Sequence, residues 1–212
     1  DDNIAWLSMS CGTSGCTTIR RYSKTTNGGT VWSTGVVDLG ATSADLEIAN
    51  IHGIDENTAF ASVFPKASSP GGVWKTTDGG TTWVKQSTAS FNDAASFTNL
   101  VYFWNANEGI AMGDPANGYF EIYRTTNGGT NWIRLGSTPA LVPIDAQEYG
   151  LTNQFTTNGD NIWIGTTFGR ILKSSDRGLT WSVSQSPIPD FGGGINGSGS
   201  GDMAFTDANN GL

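Results

Sequence analysis

Charge is scarce in this 212-residue chain. Asp, Glu, Lys and Arg make up 14% of it, and 11 basic residues face 19 acidic ones for a formal net charge of −8. No basic cluster is longer than Arg20-Arg21, so the electrostatic footprint required by nucleic acid or an anionic lipid surface is missing. Apolar runs fall well short of the ~20 residues of a helical membrane span. The opening Asp1-Asp2-Asn3 has neither the positive region nor the apolar core of a secretory signal. There are two cysteines and one histidine; two thiolates with His52 far away in sequence do not make a four-ligand zinc site. Neither a metal nor a cofactor is expected.

What the chain does have is 29 glycines, 11% aromatic residues and many Thr, Ser and Asn. That balance suits short strands joined by tight turns, and the expected class is all-β. Cys11 and Cys16 bracket Gly12-Thr13-Ser14-Gly15, a turn-forming stretch able to bring two strand ends within bridging distance. A local disulfide is the preferred reading, with metal binding as the weaker alternative, and it places the protein outside the cytosol.

A repeat spans all of residues 1–212. Four eight-residue boxes align without gaps: Thr25-Thr-Asn-Gly-Gly-Thr-Val-Trp32, Thr76-Thr-Asp-Gly-Gly-Thr-Thr-Trp83, Thr125-Thr-Asn-Gly-Gly-Thr-Asn-Trp132 and Ser174-Ser-Asp-Arg-Gly-Leu-Thr-Trp181. Their starts lie 51, 49 and 49 residues apart. Each follows a basic residue (Lys24, Lys75, Arg124, Lys173) and a short apolar segment, and an alternating stretch comes after each Trp, so every box reads as a hairpin turn. A second strand pair precedes each of the last three boxes around an acidic or Asn-rich turn, as at Asp55-Glu-Asn57. Four strands per period make a propeller blade.

These boxes resemble the Asp-box, or BNR, family, with its pattern Ser/Thr-x-Asp-x-Gly-x-Thr/Ser-Trp. The family includes sialidases, sortilin-type receptors, xyloglucan hydrolases and photosystem assembly factors. The resemblance implies a β-propeller of four-stranded antiparallel blades, about four of them present, in a secreted bacterial protein. Asn27 and Asn127 replace the Asp, and Val31 and Asn131 replace the Thr/Ser, which argues against calcium binding at the boxes and leaves the turn chemistry intact. Asn27, Asp78, Asn127 and Asp176 are expected to accept backbone N–H bonds across their turns, with Gly29, Gly80, Gly129 and Gly178 supplying positive φ. Trp32, Trp83, Trp132 and Trp181 are expected to pack between sheets.

The chemistry is harder to find. A sialidase needs an arginine cluster with a Tyr/Glu nucleophile, and the arginines lie scattered. A glycoside hydrolase needs two carboxylates on the channel mouth. Glu47, Glu148 and Asp202 fall at or just before a period's first strand, and Asp114 follows a second strand; the preferred reading of all four is solvated rim acids, not catalysts. His52 follows the same innermost strand, as a hydrogen-bonded strand residue or a channel lining. Variable insertions fall at residues 65–70, 89–96, 137–147 and 186–201. All but the first connect successive blades, and loops over a repetitive scaffold are where specificity sits. Phe91, Tyr149 and Phe191, in or beside them, are contact aromatics or core anchors.

The reading is an extracellular or cell-surface recognition or scaffold module with a protein or glycan ligand. The alternatives are part of a carbohydrate-active enzyme, or an assembly factor resembling photosystem assembly propellers. Asp1–Trp6 aligns with Asp55–Phe60, and Met203–Leu212 with Val101–Ile110, so the last segment either completes the first blade of a four-blade ring or belongs to a larger ring, the expected case. Cys11 and Cys16 are expected to be bonded to each other: intact mass will show no alkylation until the protein is reduced, whereas two thiols alkylated without reductant would disprove the pairing.

Overall fold

The computed structural model describes residues 2–9, 20–191 and 202–211; Cys11 and Cys16 lie outside them. The described residues form four antiparallel sheets in chain order, part of a β-propeller. Blade one is three-stranded: β1 (Ala5–Met9), β2 (Arg21–Thr25) and β3 (Ser33–Val36). Blade two runs β4 (Leu46–Gly53), β5 (Ala59–Pro65), β6 (Gly72–Thr76) and β7 (Val84–Lys85) from the inner strand outward. Blade three has β8 (Thr98–Phe103), β9 (Gly109–Ala116), β10 (Tyr119–Thr125) and β11 (Ile133–Arg134). Blade four has β12 (Gly150–Asn158), β13 (Asn161–Thr166), β14 (Arg170–Ser174) and β15 (Ser182–Gln185).

Second strands alternate with period two but are buried on both sides, because each blade is sandwiched. In β5, Ala59, Ala61 and Val63 join Trp6, Tyr22 and Trp83 in the joint with blade one. Phe60 points the other way, into a cluster with Val101, Phe103, Tyr123 and Trp132. Ile110, Met112, Ile162, Ile164 and Leu172 fill the joint between blades three and four. The core is thus one apolar layer per joint.

The box turns are self-capped, as expected. The first hydroxyl (Thr25, Thr76, Thr125 or Ser174) accepts the N–H of the fifth residue, Gly29, Gly80, Gly129 or Gly178, at 2.8–3.0 Å. The third residue accepts the N–H of the seventh at 2.8–2.9 Å. Those four glycines have φ of 77° to 93°, and Arg177, where the other boxes have Gly, has φ 56°. Asp at position three goes with Thr at position seven for a physical reason: Thr82 and Thr180 donate their hydroxyls to the second carboxylate oxygen, an acceptor that Asn lacks. The Thr82 amide and hydroxyl hold the exposed Asp78 carboxyl at about 2.

Cations tie the blades together. Lys24 donates to Glu56 O and Gly79 O of blade two, Lys75 to Gly128 O of blade three, and Arg124 to Arg177 O of blade four. Each stands cross-strand from a large side chain: Trp6, Phe60 and Ile110. Where that partner is a ring, the ammonium lies 4.7 or 5.3 Å from its centroid. Where it is Ile110, the cation is an arginine paired with Glu108 at 2.9 Å. Nearer the axis, buried Asn50 of β4 bonds both the N–H and the C=O of Val101 in β8, each at 2.9 Å, as a strand neighbour would.

One expectation needs correction. Trp83 and Trp132 are buried and Trp181 partly so, but Trp32 is 42% exposed. Each box Trp packs on the preceding blade, and among the described residues none precedes blade one. The segment 202–211 does not pair with β1; it lies on blade four, with Phe205 stacked on Trp163 at 4.0 Å and Lys173 donating to Ala208 O. It occupies the place that the inner strand of a following blade takes elsewhere. From this packing, Trp83→Ala is expected to cost roughly 3–5 kcal/mol and the exposed Val84→Ala under ~0.5 kcal/mol. Urea midpoints check both, and equal small effects would show that the box Trp is not a core element.

Candidate functional site

Antiparallel up-and-down strands put two kinds of turn at opposite ends of each blade. Box turns and the turns between first and second strands share one end, where they bond each other, as Gly79 N does Asn57 O at 2.9 Å. The other end, the loop face, carries the turns between second and third strands and the connections between blades. The insertion at 65–70 therefore joins the other insertions on one face. With residues 91–96 it walls a cleft of about 630 Å³ lined by Pro65, Ser68, Pro70, Asn92, Asp93 and Ala94 among others. Phe91, held at φ 42°, is 1% exposed beneath it and packs 4.8 Å from the Tyr123 ring.

The carboxylates at the base of the loops are not solvated rim acids. Glu148 is fully buried and takes Arg170 at 2.8 Å, the Thr166 hydroxyl at 2.7 Å and the Ile144 N–H at 2.8 Å. Glu47 is buried between Arg20 at 3.6 Å and Lys66 at 3.8 Å. Glu121, not singled out from sequence, repeats the arrangement with Ser96, Tyr123 and Arg134. Removing one partner of such a pair, as Glu148→Ala does, strands a buried charge at a cost of about 3–5 kcal/mol. These acids are fixed by cations that tie strands to loops.

Asp114 differs. It is half-buried on the loop face and accepts Asn99 Nδ2 at 2.7 Å and the Gly150 N–H at 3.0 Å, linking blades three and four. Burial pushes its carboxyl up to about 6, against the lowering effect of those two donors. Asn99 is the extra residue of a bulge in β8, between Thr98 and Leu100. In β4 the matching irregularity lies between Ile48 and Asn50, and in β12 it grows to residues 151–154, with Asn153 at φ 58°. Inner strands thus loosen near the loop face, most in blade four; bulges of this kind re-aim side chains. Asp202 is exposed in the segment on blade four and bonds its own neighbour, Met203 N.

The binding candidates scatter. His52 is half-buried in β4, its ring 4.8 Å from Tyr102; burial lowers its pKa to about 4, against the raising effect of a backbone hydrogen bond at Phe103. Tyr102 also meets Trp104 at 5.2 Å and Phe155 at 5.7 Å, so His52 belongs to an aromatic row across the inner strands. Phe91 and Phe191 are buried and act as anchors, while Tyr149 is 42% exposed, so it alone of the three presents an accessible ring. Among the described residues no group of three or more His, Cys, Asp or Glu is placed to hold a metal ion, and no helix is long and apolar enough to cross a membrane.

Neither a protein-family model nor a curated protein matches the chain. Solved structures do. YCF48 from Cyanidioschyzon merolae aligns with TM-score 0.53 and 17% identity over 87% of this chain and 61% of its own. An ancestral GH74 enzyme aligns with TM-score 0.50 and 17% identity over 90% of this chain and 25% of its own. A structure of YCF48 bound to D1 peptide aligns at TM-score 0.45 and 14% identity, over all of this chain and 85% of its own. The first two share the propeller fold with this chain.

The raised Asp114 pKa fixes the sign of a pH effect. The folded state holds this proton more tightly than an unfolded aspartate with pKa of about 3.9. The resulting stabilisation is full below about pH 4 and is lost as pH rises through about 6. Wild type is therefore expected to lose up to ~2 kcal/mol relative to Asp114→Asn between about pH 4 and 7. Denaturation of both proteins across that range checks this, and a difference independent of pH would contradict it.

Proposed function

We propose that the chain is the binding part of a non-catalytic recognition or scaffolding propeller, and that a polypeptide segment of a partner protein binds in the loop-face cleft. The observation that carries this is the cleft itself, whose two walls are insertions 65–70 and 91–96 on an otherwise repetitive frame. A polypeptide fits it better than a sugar. Glycans bind by stacking on exposed ring faces, and the one aromatic in this cleft, Phe91, is 1% exposed. Ser68, Asn92 and Asp93 instead offer polar groups beside two prolines, a mixture suited to an extended backbone, and the net charge of −8 favours a basic segment. Helping to assemble a larger complex is one form of this role. Action outside the cytosol rests on the Cys11 and Cys16 reading.

One observation favours the alternative of carbohydrate hydrolysis: a carboxyl held near 6, as Asp114 is, suits a general acid. Such a mechanism needs a second carboxylate, and Glu47 and Glu148 are tied to cations. Peptides selected from a random display library against the intact protein are expected to bind at least ~10-fold more weakly to Ala94→Trp, which fills the cleft. Peptide binding that ignores Ala94→Trp would move the site elsewhere. Release of reducing ends from oligosaccharides, abolished by Asp114→Asn, would replace this reading with the enzymatic one.

A further inference from the structure

Asn-Gly pairs stand in the sequence at Asn27, Asn117, Asn127, Asn158, Asn196 and Asn210, and all but Asn196 fall among the described residues. Such a pair is chemically labile: the glycine nitrogen, once it has lost its proton, attacks the side-chain carbonyl carbon of the asparagine, and no Cβ stands in its way. How each pair is held decides which one reacts. Asn27 and Asn127 are locked into box turns. Their Oδ1 atoms accept the N–H of Val31 and Asn131, each at 2.9 Å, and the nitrogens of Gly28 and Gly128 donate to Asn3 O and Asn107 O at 3.0 and 2.9 Å. Asn158 donates its amide to Thr206 O at 2.9 Å, and Asn210 to Asp207 Oδ2 at 2.8 Å. Asn117 and Gly118 are both exposed, at the tip of the hairpin between β9 and β10 on the loop face. Among the described residues neither the Asn117 side chain nor the Gly118 nitrogen has a hydrogen-bond partner, and a Cβ on Gly118 would meet nothing within 4 Å.

We propose that Asn117 is a site of spontaneous covalent modification, closing to a succinimide with Gly118 and opening to aspartate and isoaspartate. Positive φ at both central residues, 60° and 88°, makes this a type I′ turn. The five-membered ring holds the glycine nitrogen beside Cβ and so fixes ψ of the asparagine at about −120°, which with the φ of 60° already present describes the first central residue of a type II′ turn. Types I′ and II′ differ by rotation of one peptide plane, and both suit the twist of a hairpin. The tip therefore reaches the reactive geometry with β9 and β10 in place, whereas in a box the same closure breaks the bonds that cap the turn. In the reaction the bond from Gly118 N to Asn117 Cγ forms, the Cγ–Nδ2 bond breaks and ammonia leaves. Water then opens the ring, at Cγ to give aspartate or at the main-chain carbonyl carbon to give isoaspartate, whose chain runs through Cβ. Either product adds a negative charge beside Ala116, whose carbonyl takes Arg134 Nη2 at 2.7 Å; Arg134 pairs with Glu121, to which Ser96 of the cleft donates. The reaction does not depend on what the cleft binds.

Peptide mapping by mass spectrometry tests this, on the intact folded chain aged at mildly alkaline pH beside a sample unfolded in urea. Asn117 is expected to convert in the folded chain at close to its unfolded rate, with isoaspartate detected by enzymatic methylation. Asn27 and Asn127 are expected to convert at least ~10-fold more slowly folded than unfolded, because closure must first break two hydrogen bonds. Gly118→Asp keeps a residue that accepts positive φ but crowds the attacking nitrogen, and it is expected to slow Asn117 severalfold, with circular dichroism confirming its fold. Protection of Asn117 equal to that of the box asparagines overturns the proposal. So does conversion that is indifferent to Gly118→Asp, or that yields aspartate without isoaspartate, since neither passes through the ring.

Discussion

One cation per blade sets the geometry on which the rest depends. Lys24, Lys75, Arg124 and Lys173 each reach into the next blade's place and bond carbonyls of its turns, at 2.7–3.1 Å. The stem of each cation lies along the large side chain opposite it, so it adds packing as well as charge. The box carbonyls among these targets, Gly79, Gly128 and Arg177 O, are fixed because two successive left-handed residues turn them outward. A cation over a ring contributes about 0.5–2 kcal/mol, depending on desolvation, and this contact adds to the apolar layer beneath it. Blade three shows the rule by its exception: without a ring, Ile110 leaves the cation to Glu108, which also pairs with Arg177.

Clamping one end of the blades divides the molecule's labour. The box end is closed by hydrogen bonds from side chain to turn and by the cations, which leaves little there for a ligand. At the loop end the buried acid and arginine pairs brace the roots of the loops, and the insertions above them vary. The bulges in the inner strands enlarge toward blade four, placing Asp114, Asn99 and Tyr149 near backbone that ladder pairing has released. Rigidity on the box face and the recognition proposed for the loop face are two consequences of one repeat.

Much of the frame was legible in the sequence because its determinants are local. Box turns depend on residues no more than seven positions apart, so hydroxyl, Asp or Asn, Gly and Trp announce them. The basic residue before each box was visible as a pattern, but its role was not, since its acceptors lie 32 to 55 residues further on. Glu47 and Glu148 were misread as solvated for the same reason: Arg20 and Arg170 meet them only after strands have paired. Phe91 and Phe191 sit in loop sequences yet are buried, because the loops need anchors. Asn50 and Asn99 gave no signal, since an asparagine that imitates a strand edge or fills a bulge looks like any turn asparagine. The insertion at 65–70 was set apart from the others, and only the alternation of turns between two faces brings it beside 91–96.

The claim that cations register the blades is tested most directly by residue-resolved hydrogen exchange in Lys75→Met. The substitution keeps the stem over Phe60 and removes the bond to Gly128 O. Faster exchange is predicted at Gly129 and Asn131, in the box of blade three, while Gly80 and Thr82 in the box of blade two, which Lys24 holds, keep wild-type rates. Unchanged rates in both boxes, or equal acceleration of both, would contradict it.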